Sequence, residues 1–416
     1  MHSSREGRRD ILSLIAIYVI FGLAQASNEF RVLFLEEQGL NAAQCGLVLA
    51  AGSLLAAISQ PLTSALADKL RSRRIVYIGS VCLWMVLIVL LLTAGHIRVA
   101  GFALCAGFVP LVSIGDPVTY GMIEAGGVNA SLKYPKADFS LIRVTLSAGY
   151  CAINFLYTPI VKRFGPSAPF ACTVLFLLGL LALSGRMRRF ETVAEEKRSK
   201  PGINRKLGLG RLFREYYLIS FVLLNFLVAL GTMTSSYMVY LLQETGMDTS
   251  LVGTASGLRV VGELLIMPLI PRIKRRISLP MLQAVSVGCC ALQLLLYLVC
   301  KNPYVILSVV VLGGFCWGIS LGTSAVYLRK MAPEGLDTTT LSLSTAMTNL
   351  GAIVIGLAGG TIIERMGIFA LYRMALGCLI LWFILYFGTW YFGKYVLKKT
   401  PPVPMFLTKE DREKLI

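Results

Sequence analysis

Charged side chains inside long apolar stretches are the residues of this sequence that could do chemistry. A charge at the centre of a bilayer costs roughly 2.5–3.5 kcal/mol on insertion scales, so it is normally paired or reached by water. A carboxylate in such a place can accept a proton or a hydroxyl group, and a guanidinium can donate two parallel hydrogen bonds. Six residues have this placement: Glu29, Arg31, Asp116, Arg143, Arg259 and Glu263.

The spacing of these residues brings several of them onto common helix faces. Arg259 and Glu263 are four residues apart, so on a helix they share a face and could pair directly. Asp116 lies in the same way on one stripe with Tyr120 and Glu124. Each stripe therefore combines a charged group with a possible partner.

Arg143, Ser147 and Tyr150 form a further stripe on the fifth apolar stretch. Two interpretations of the stripes remain open: the charges pair between helices and fix their packing, or they line a polar cavity that receives a solute. The second interpretation predicts solute contacts at Arg143, Tyr150, Glu263, Asp116 and Tyr120. It also predicts proton-coupling or charge-pair roles for Glu263, Arg259, Asp116, Glu124, Glu29 and Arg31.

The composition indicates the elements that carry these residues. Of 416 residues, 56% are hydrophobic and 15% are charged, and apolar runs of about 20 residues, the length that crosses a bilayer, recur along the chain. We expect an all-α membrane protein. The predicted spans are 11–35, 43–67, 75–95, 98–125, 138–161, 168–185, 215–243, 249–271, 278–299, 303–328, 338–363 and 368–394.

The net charge of +18 follows the predicted topology. With the N-terminus inside, cytoplasmic segments contain 31 of the 40 Lys and Arg residues and outside loops contain six. This asymmetry is the positive-inside rule for a protein with both termini in the cytoplasm. The charge therefore predicts an orientation in a bacterial cytoplasmic (inner) membrane and no nucleic-acid partner.

The order of the spans predicts two similar halves. The predicted parts are an N-terminal six-helix bundle at 1–185, a basic cytoplasmic linker at 186–214, a C-terminal six-helix bundle at 215–394 and a tail at 395–416. Gly46 and Pro61 of the second span recur 207 positions later as Gly253 and Pro268. Such an internal repeat is typical of transporter folds.

Glycines at four-residue spacing predict close helix packing in lipid. They are Gly314, Gly318 and Gly322, followed by Gly356 and Gly360.

Several chemistries have no sequence support. The sequence contains no Gly-x-x-x-x-Gly-Lys-Ser/Thr phosphate loop and no Gly-x-Gly-x-x-Gly dinucleotide motif. Most of the ten cysteines fall inside predicted spans without metal-ligand spacing, and there are only two histidines. We therefore expect neither an enzyme nor an ATP-driven pump, and no cofactor or metal.

Three segments of the second span and its loop resemble a known family. They read Gly46-Leu-Val-Leu-Ala-Ala-Gly-Ser-Leu-Leu and Gln60-Pro61-Leu62, followed by Asp68-Lys69-Leu70. They are similar to the lactose-permease, sugar/proton symporter branch of the major facilitator superfamily. The resemblance implies twelve transmembrane helices in two pseudo-symmetric six-helix bundles. It also implies a cytoplasmic gating loop formed by Asp68, Lys69, Arg73 and Arg74.

Two further segments resemble the sugar-binding parts of that branch. Phe139-Ser-Leu-Ile-Arg143 through Gly149-Tyr150 implies an arginine that binds sugar hydroxyls and a ring that stacks on the sugar. Gly262-Glu263-Leu264-Leu265 implies a glutamate that accepts sugar hydroxyls. The ninth and tenth spans, however, contain none of the Arg, His and Glu residues that couple protons in lactose permease.

The expected function is secondary transport of a small solute by alternating access, as proton-coupled uptake of a sugar or another hydroxylated compound. The partners would be the solute, the coupling proton and the lipid bilayer, and the protein would be a monomer. Two alternatives remain: a proton-driven exporter of amphipathic compounds or drugs, and a non-transporting membrane sensor.

The predicted orientation can be tested with reporter fusions in a bacterial host. Green fluorescent protein fused after Ile416 should fluoresce, because the positive-inside rule places that end in the cytoplasm. Alkaline phosphatase fused after Asn302, in a predicted outside loop, should be active. A dark terminal fusion with an inactive loop fusion would contradict the orientation.

Overall fold

The computed structural model consists almost entirely of α-helices. Large apolar side chains such as Leu62, Leu175 and Ile384 are exposed on the long helices. Exposure on this scale is unfavourable in water and normal in lipid. The structure describes residues 2–70, 72–94, 97–99, 102–134, 139–187, 209–300, 302–333 and 336–406.

Where the structure describes the connection between two helices, it is short. Several begin at a polar residue whose side chain accepts a hydrogen bond from the first turn, as Ser72 does from the amide of Ile75 at 3.4 Å. The helices are α1 (His2–Gln25), α2 (Arg31–Glu37), α3 (Ala42–Leu70), α4 (Arg73–Thr93), α5 (Cys105–Lys133), α6 (Phe139–Phe164), α7 (Ala168–Ala182), α8 (Ser184–Met187), α9 (Leu209–Leu212), α10 (Tyr216–Thr232), α11 (Met238–Glu244), α12 (Val252–Ile266), α13 (Ile270–Ile273), α14 (Leu279–Val299), α15 (Pro303–Met331), α16 (Asp337–Met366) and α17 (Ile368–Tyr391).

The helical segments agree with the predicted membrane spans. Eleven of them, within the described residues, are long and apolar enough to cross a bilayer. The remaining predicted span corresponds to α5, a helix of 29 residues. It is less apolar because it contains Pro110, Asp116 and Pro117. The chain is therefore an all-α integral membrane protein, as the sequence predicts.

The predicted bounds of the fourth span were wrong. The prediction was 98–125, whereas α5 covers Cys105–Lys133. The apolar residues before α5 form a short antiparallel hairpin in which Arg98–Val99 pairs with Phe102–Ala103. A short apolar run suits a strand as well as a helix, so periodicity alone could not separate the two.

Two long spans are interrupted at equivalent positions. Ala26–Phe30 forms a 3₁₀ segment between α1 and α2, and Met233–Tyr237 forms one between α10 and α11. The second break lies 207 residues after the first, which is the spacing of the sequence repeat. Gly39 and Gly246, also 207 apart, both have positive φ angles, of 84° and 70°. The repeat is therefore visible in the backbone.

The chain divides into two compact units. The first consists of Met1–Ile203 with Asp248–Gly257, and the second consists of Asn204–Met247 with Leu258–Ile416. Residues 188–208 of the predicted linker lie outside the described residues. The predicted bounds of the two bundles, the linker and the tail therefore stay a prediction.

The glycine stripe of α15 lies against α12 and α13 in the second unit. A Cβ atom added to Gly314 would lie 1.8 Å from the carbonyl oxygen of Arg259, and one added to Gly318 would lie 2.5 Å from the Ile266 side chain. At Gly322 the same atom would lie 2.5 Å from Ile270. These glycines therefore permit the close packing predicted from their spacing.

Replacing one of these glycines should separate the two helices. We expect Gly314→Ala to lower the melting temperature of the purified protein clearly. The new methyl group would overlap the backbone carbonyl of Arg259, and backbone is harder to displace than a flexible side chain. Gly377→Ala is the matched control, since nothing lies within 4 Å of its Cβ position and alanine is the better helix former by about 0.5–1 kcal/mol. Equal melting temperatures for the two variants would contradict the packing.

Candidate functional site

The break in the first span brings polar side chains into the interior of the first unit. The 3₁₀ segment Ala26–Phe30 contains Asn28 and Glu29, and Arg31 follows it directly. Glu29 accepts hydrogen bonds from the hydroxyl of Tyr150 and, at 2.9 Å, from Ser256 Oγ. Both oxygens of the Glu29 carboxylate therefore have a donor.

Asp116 of α5 faces the same break. Its Oδ2 atom accepts hydrogen bonds from Asn28 Nδ2 at 2.6 Å and from Gln25 Nε2 at 3.3 Å. Its Oδ1 atom is buried and has no hydrogen-bond partner in the described part of the chain. Arg31 donates from Nε to Asn28 Oδ1 at 3.2 Å and interacts electrostatically with Asp116 and Glu29.

We call these five residues, Gln25, Asn28, Glu29, Arg31 and Asp116, the Asp116 cluster. The amide orientation of Asn28 follows from its two partners, because its oxygen faces a donor that cannot accept and its NH₂ faces a carboxylate. With all three ionisable groups charged, the cluster has two carboxylates and one guanidinium.

A second group of residues, the Arg143 cluster, lies on α5 and α6. Arg143 Nε is 3.1 Å from Glu124 Oε1, and Arg143 Nη2 donates to the Tyr120 hydroxyl at 2.9 Å. The Tyr120 hydroxyl in turn donates to Glu124. The side chains of Arg143 and Glu124 are 33% and 31% exposed. The charges of Arg143 and Glu124 therefore balance, and both side chains are partly exposed.

Two buried aromatic rings support Tyr120 in the Arg143 cluster. The ring of Phe21 stacks on that of Tyr120 with centroids 5.8 Å apart, and it meets Trp84 edge-on at 6.0 Å. These contacts fix the Tyr120 ring beside the guanidinium. The cluster therefore offers a donor, an acceptor and an aromatic face within a few ångströms.

The second unit contains the remaining predicted site residues. Glu263 is buried on α12, and its backbone lies against Gly314 and Gly318. Arg259, one turn earlier, donates from Nη1 to Ser235 Oγ at 3.2 Å. Ser235 belongs to the 3₁₀ break of this unit. Here too the interrupted span lies next to a charged residue.

The structure groups the predicted residues differently from their sequence stripes. Asp116 belongs to one cluster, whereas Tyr120 and Glu124 of the same stripe belong to the other. Arg143 contacts Glu124, whereas Tyr150 contacts Glu29. Partners from neighbouring helices, which spacing along one helix does not specify, decide this grouping.

Sequence reasoning missed the neutral members of these networks. Gln25, Asn28, Ser235 and Ser256 all contact a predicted charged residue. An amide or hydroxyl group costs less to insert into a bilayer than a charged group does, so it is a weaker sign of a site inside an apolar run. Asn28 could have been identified from the sequence, because it lies three residues before Arg31 and so within reach of that side chain on one helix face.

The predicted gating loop joins α3 to α4. Asp68 and Lys69 lie in the last turn of α3, and Arg73 and Arg74 begin α4 after the Ser72 cap. Lys69 is exposed, and the two arginines are partly buried. The side chain of Asp68 lies outside the described residues, so its role stays a prediction.

Residues Asp248–Gly257 pack along α6 within the first unit. Thr158 Oγ1 is 2.9 Å from Thr254 Oγ1, and Lys162 Nζ is 3.5 Å from Asp248 Oδ2. The backbone amide of Ser250 donates to Asp248 at 2.9 Å and lowers the pKa of that carboxyl group. Asp248 therefore stays ionised opposite Lys162 at neutral pH.

Comparison with known proteins agrees with this architecture. Residues 12–374 match the MFS_1 like family. The chain is 23% identical over 377 residues to a maltose permease of Geobacillus stearothermophilus, covering 90% of this chain and 92% of that protein. It is 22% identical over 367 residues to the uncharacterized transporter YwbF of Bacillus subtilis (strain 168), covering 86% and 87%.

Solved structures share the fold. The nucleoside transporter NupG aligns with a TM-score of 0.74 at 16% identity, covering 93% of this chain and 99% of that one. A peptide transporter POT in complex with sulfate aligns with a TM-score of 0.68 at 13% identity, covering 92% and 95%. At these identities the likeness concerns the fold alone. By its sequence match over residues 12–374, the chain belongs to the MFS_1 like family of major facilitator transporters.

Proposed function

We propose that this transporter takes up a small, uncharged hydroxylated solute, such as a sugar or a nucleoside, together with a proton by alternating access. The observation that carries the proposal is the geometry of the Arg143 cluster. A guanidinium, a carboxylate and a tyrosine hydroxyl lie there within hydrogen-bond distance of one another and are partly exposed. The protein would act as a monomer in a bacterial cytoplasmic membrane with both termini inside.

The Arg143 cluster has the chemistry that a polyol needs. A guanidinium donates to hydroxyl oxygens, a carboxylate accepts from hydroxyl groups, and an aromatic ring covers the apolar face of a sugar. Because the charges of Arg143 and Glu124 already balance, a neutral solute leaves no charge uncompensated. The similarity to a maltose permease supports the same solute class. Glu263 of the second unit would accept further hydroxyl groups.

Asp116 is the best candidate for the proton. An ionised carboxylate with one buried oxygen that lacks a donor among the described residues is costly in a low dielectric, and a proton on that oxygen removes the cost. The groups that face Asp116 are the NH₂ groups of Asn28 and Gln25 and the guanidinium of Arg31. These N–H groups would repel a metal cation, which also needs several oxygen ligands. A proton needs no shell of oxygen ligands.

The solute class can be tested by thermal unfolding of the detergent-purified protein against maltose, nucleosides, aromatic acids and lipophilic cations. A ligand at a hundred times its Kd stabilises the folded state by about 2.7 kcal/mol, so a binding polyol should raise the melting temperature by several degrees. The shift should disappear in Arg143→Ala and persist in Arg163→Ala, since Arg163 lies at the end of the same helix over Phe164. Stabilisation by lipophilic cations only would favour the exporter.

The coupling role of Asp116 can be tested in proteoliposomes. Asp116→Asn should reduce accumulation of the solute driven by a pH gradient at least tenfold, because an amide cannot release a proton. Solute exchange without a gradient should fall much less, since it does not require deprotonation. A merely structural role would lower both rates together. Accumulation by the variant at the wild-type level would contradict the assignment, and Asp248→Asn serves as the carboxylate control.

A further inference from the structure

The last span does not end as an ordinary α-helix. After Tyr391 the backbone continues in a π-helical turn, Phe392–Val396, closed by hydrogen bonds from the Leu397 amide to the Phe392 carbonyl at 3.0 Å and from the Lys399 amide to the Gly393 carbonyl at 2.9 Å. Lys398 has a φ of 52°, a left-handed conformation that side-chain-bearing residues rarely adopt. The chain reverses direction at this point.

The turn is held by the beginning of α10. The Tyr217 hydroxyl donates to the Lys399 carbonyl at 2.9 Å, and the Tyr216 hydroxyl donates to the Thr389 carbonyl at 3.0 Å. A Cβ atom at Gly393 would lie 2.7 Å from the Tyr216 ring and 2.8 Å from the Tyr217 hydroxyl. Glycine at 393 is therefore what lets the two tyrosines reach the turn.

Residues 397–406, which we call the C-terminal strap, continue to the beginning of α14. Val403 and Met405 are buried, the latter to 2% exposure. The Ser278 hydroxyl donates to the Met405 carbonyl and also accepts from the Met281 amide at 3.4 Å as the cap of α14. The strap therefore has a fixed path across the ends of α10, α14 and α17.

The outer surface of the turn and strap is basic and aromatic. Lys394, Lys398 and Lys399 are exposed, and residues 392–406 contain no Asp or Glu. Lys394 Nζ lies 5.0 Å above the Trp390 ring and 5.3 Å from that of Tyr395. Exposed apolar side chains accompany the lysines: Phe392, Tyr395, Val396, Leu397 and Phe406.

This combination is suited to the membrane interface. Tryptophan and tyrosine concentrate at headgroup level, and lysine extends its charge toward the headgroups while its stem stays in apolar surroundings. The turn forms the last five residues of a candidate membrane span that ends at Val396. Each Lys near an anionic bilayer surface contributes roughly 1 kcal/mol, or about fivefold, to binding.

We propose that Lys394 of the π-helical turn, with Lys398 and Lys399 of the C-terminal strap, forms a binding site for the headgroup of an anionic phospholipid. The hydrogen bonds from Tyr216, Tyr217 and Ser278 fix the backbone that carries these three exposed lysines. The exposed apolar side chains beside them contact the acyl chains. The site is independent of the solute and of proton coupling.

The test is native mass spectrometry of the full-length, detergent-purified protein titrated with phosphatidylglycerol or phosphatidylcholine. Wild type should retain phosphatidylglycerol with at least tenfold higher affinity than phosphatidylcholine. In the triple variant K394Q/K398Q/K399Q the affinity for phosphatidylglycerol should fall on the order of a hundredfold, from about fivefold per lysine. The matched control R272Q/R275Q/R276Q removes three exposed charges elsewhere in the same unit and should keep the wild-type affinity.

Three outcomes would overturn the proposal. Unchanged phosphatidylglycerol binding by the lysine variant would place the lipid elsewhere, and equal loss in the arginine control would reduce the effect to overall charge. Displacement of phosphatidylglycerol by 10 mM inorganic phosphate would indicate a site for a soluble anion instead of a lipid. The melting temperature of each variant in phosphatidylcholine alone verifies that it is folded.

Discussion

The absence of water from the hydrocarbon core is the constraint on which the rest of this structure depends. A buried polar group in lipid must find its partner within the protein, so backbone forms helices and charges form clusters. Where helix 1 breaks at Ala26–Phe30, side chains of Asn28 and Glu29 enter a network with α5 and α6. Irregular backbone at membrane depth is tolerated only where it is buried in protein or reached by water. The polar side chains at the break therefore find their partners on neighbouring helices of the first unit.

The sequence predicted the fold well, but it specified few of the contacts among the candidate site residues. Apolar runs and basic loops identify membrane spans because each signal extends over many residues, whereas a site depends on a few contacts between distant segments. Asp116 was recognisable as a charge inside a span, but its contact with Asn28, 88 residues earlier, depends on how α1 packs on α5. Ser256, which donates to Glu29 from 227 residues away, could not be inferred from either local stretch.

The repeat conserves backbone shape while the chemistry of the two units differs. The breaks lie 207 residues apart, yet the positions equivalent to Glu29, Arg31 and Asp116 are Ser236, Met238 and Thr323. The second break has hydroxyl groups of its own, and its charged neighbour, Arg259, comes from α12. The 3₁₀ segments are therefore shared by the two halves, whereas the charged residues beside them differ.

Net charge limits what the Arg143 cluster can bind. In a low dielectric an uncompensated charge is far more costly than in water, so a binding partner must neutralise an excess charge or carry none. The charges of Arg143 and Glu124 already balance, so a lipophilic cation would leave one charge uncompensated there. Asp116 is different, because it is buried and the groups that face it are N–H donors. Such donors leave this carboxylate few ways to hold a metal ion, whereas a proton needs no shell of oxygen ligands.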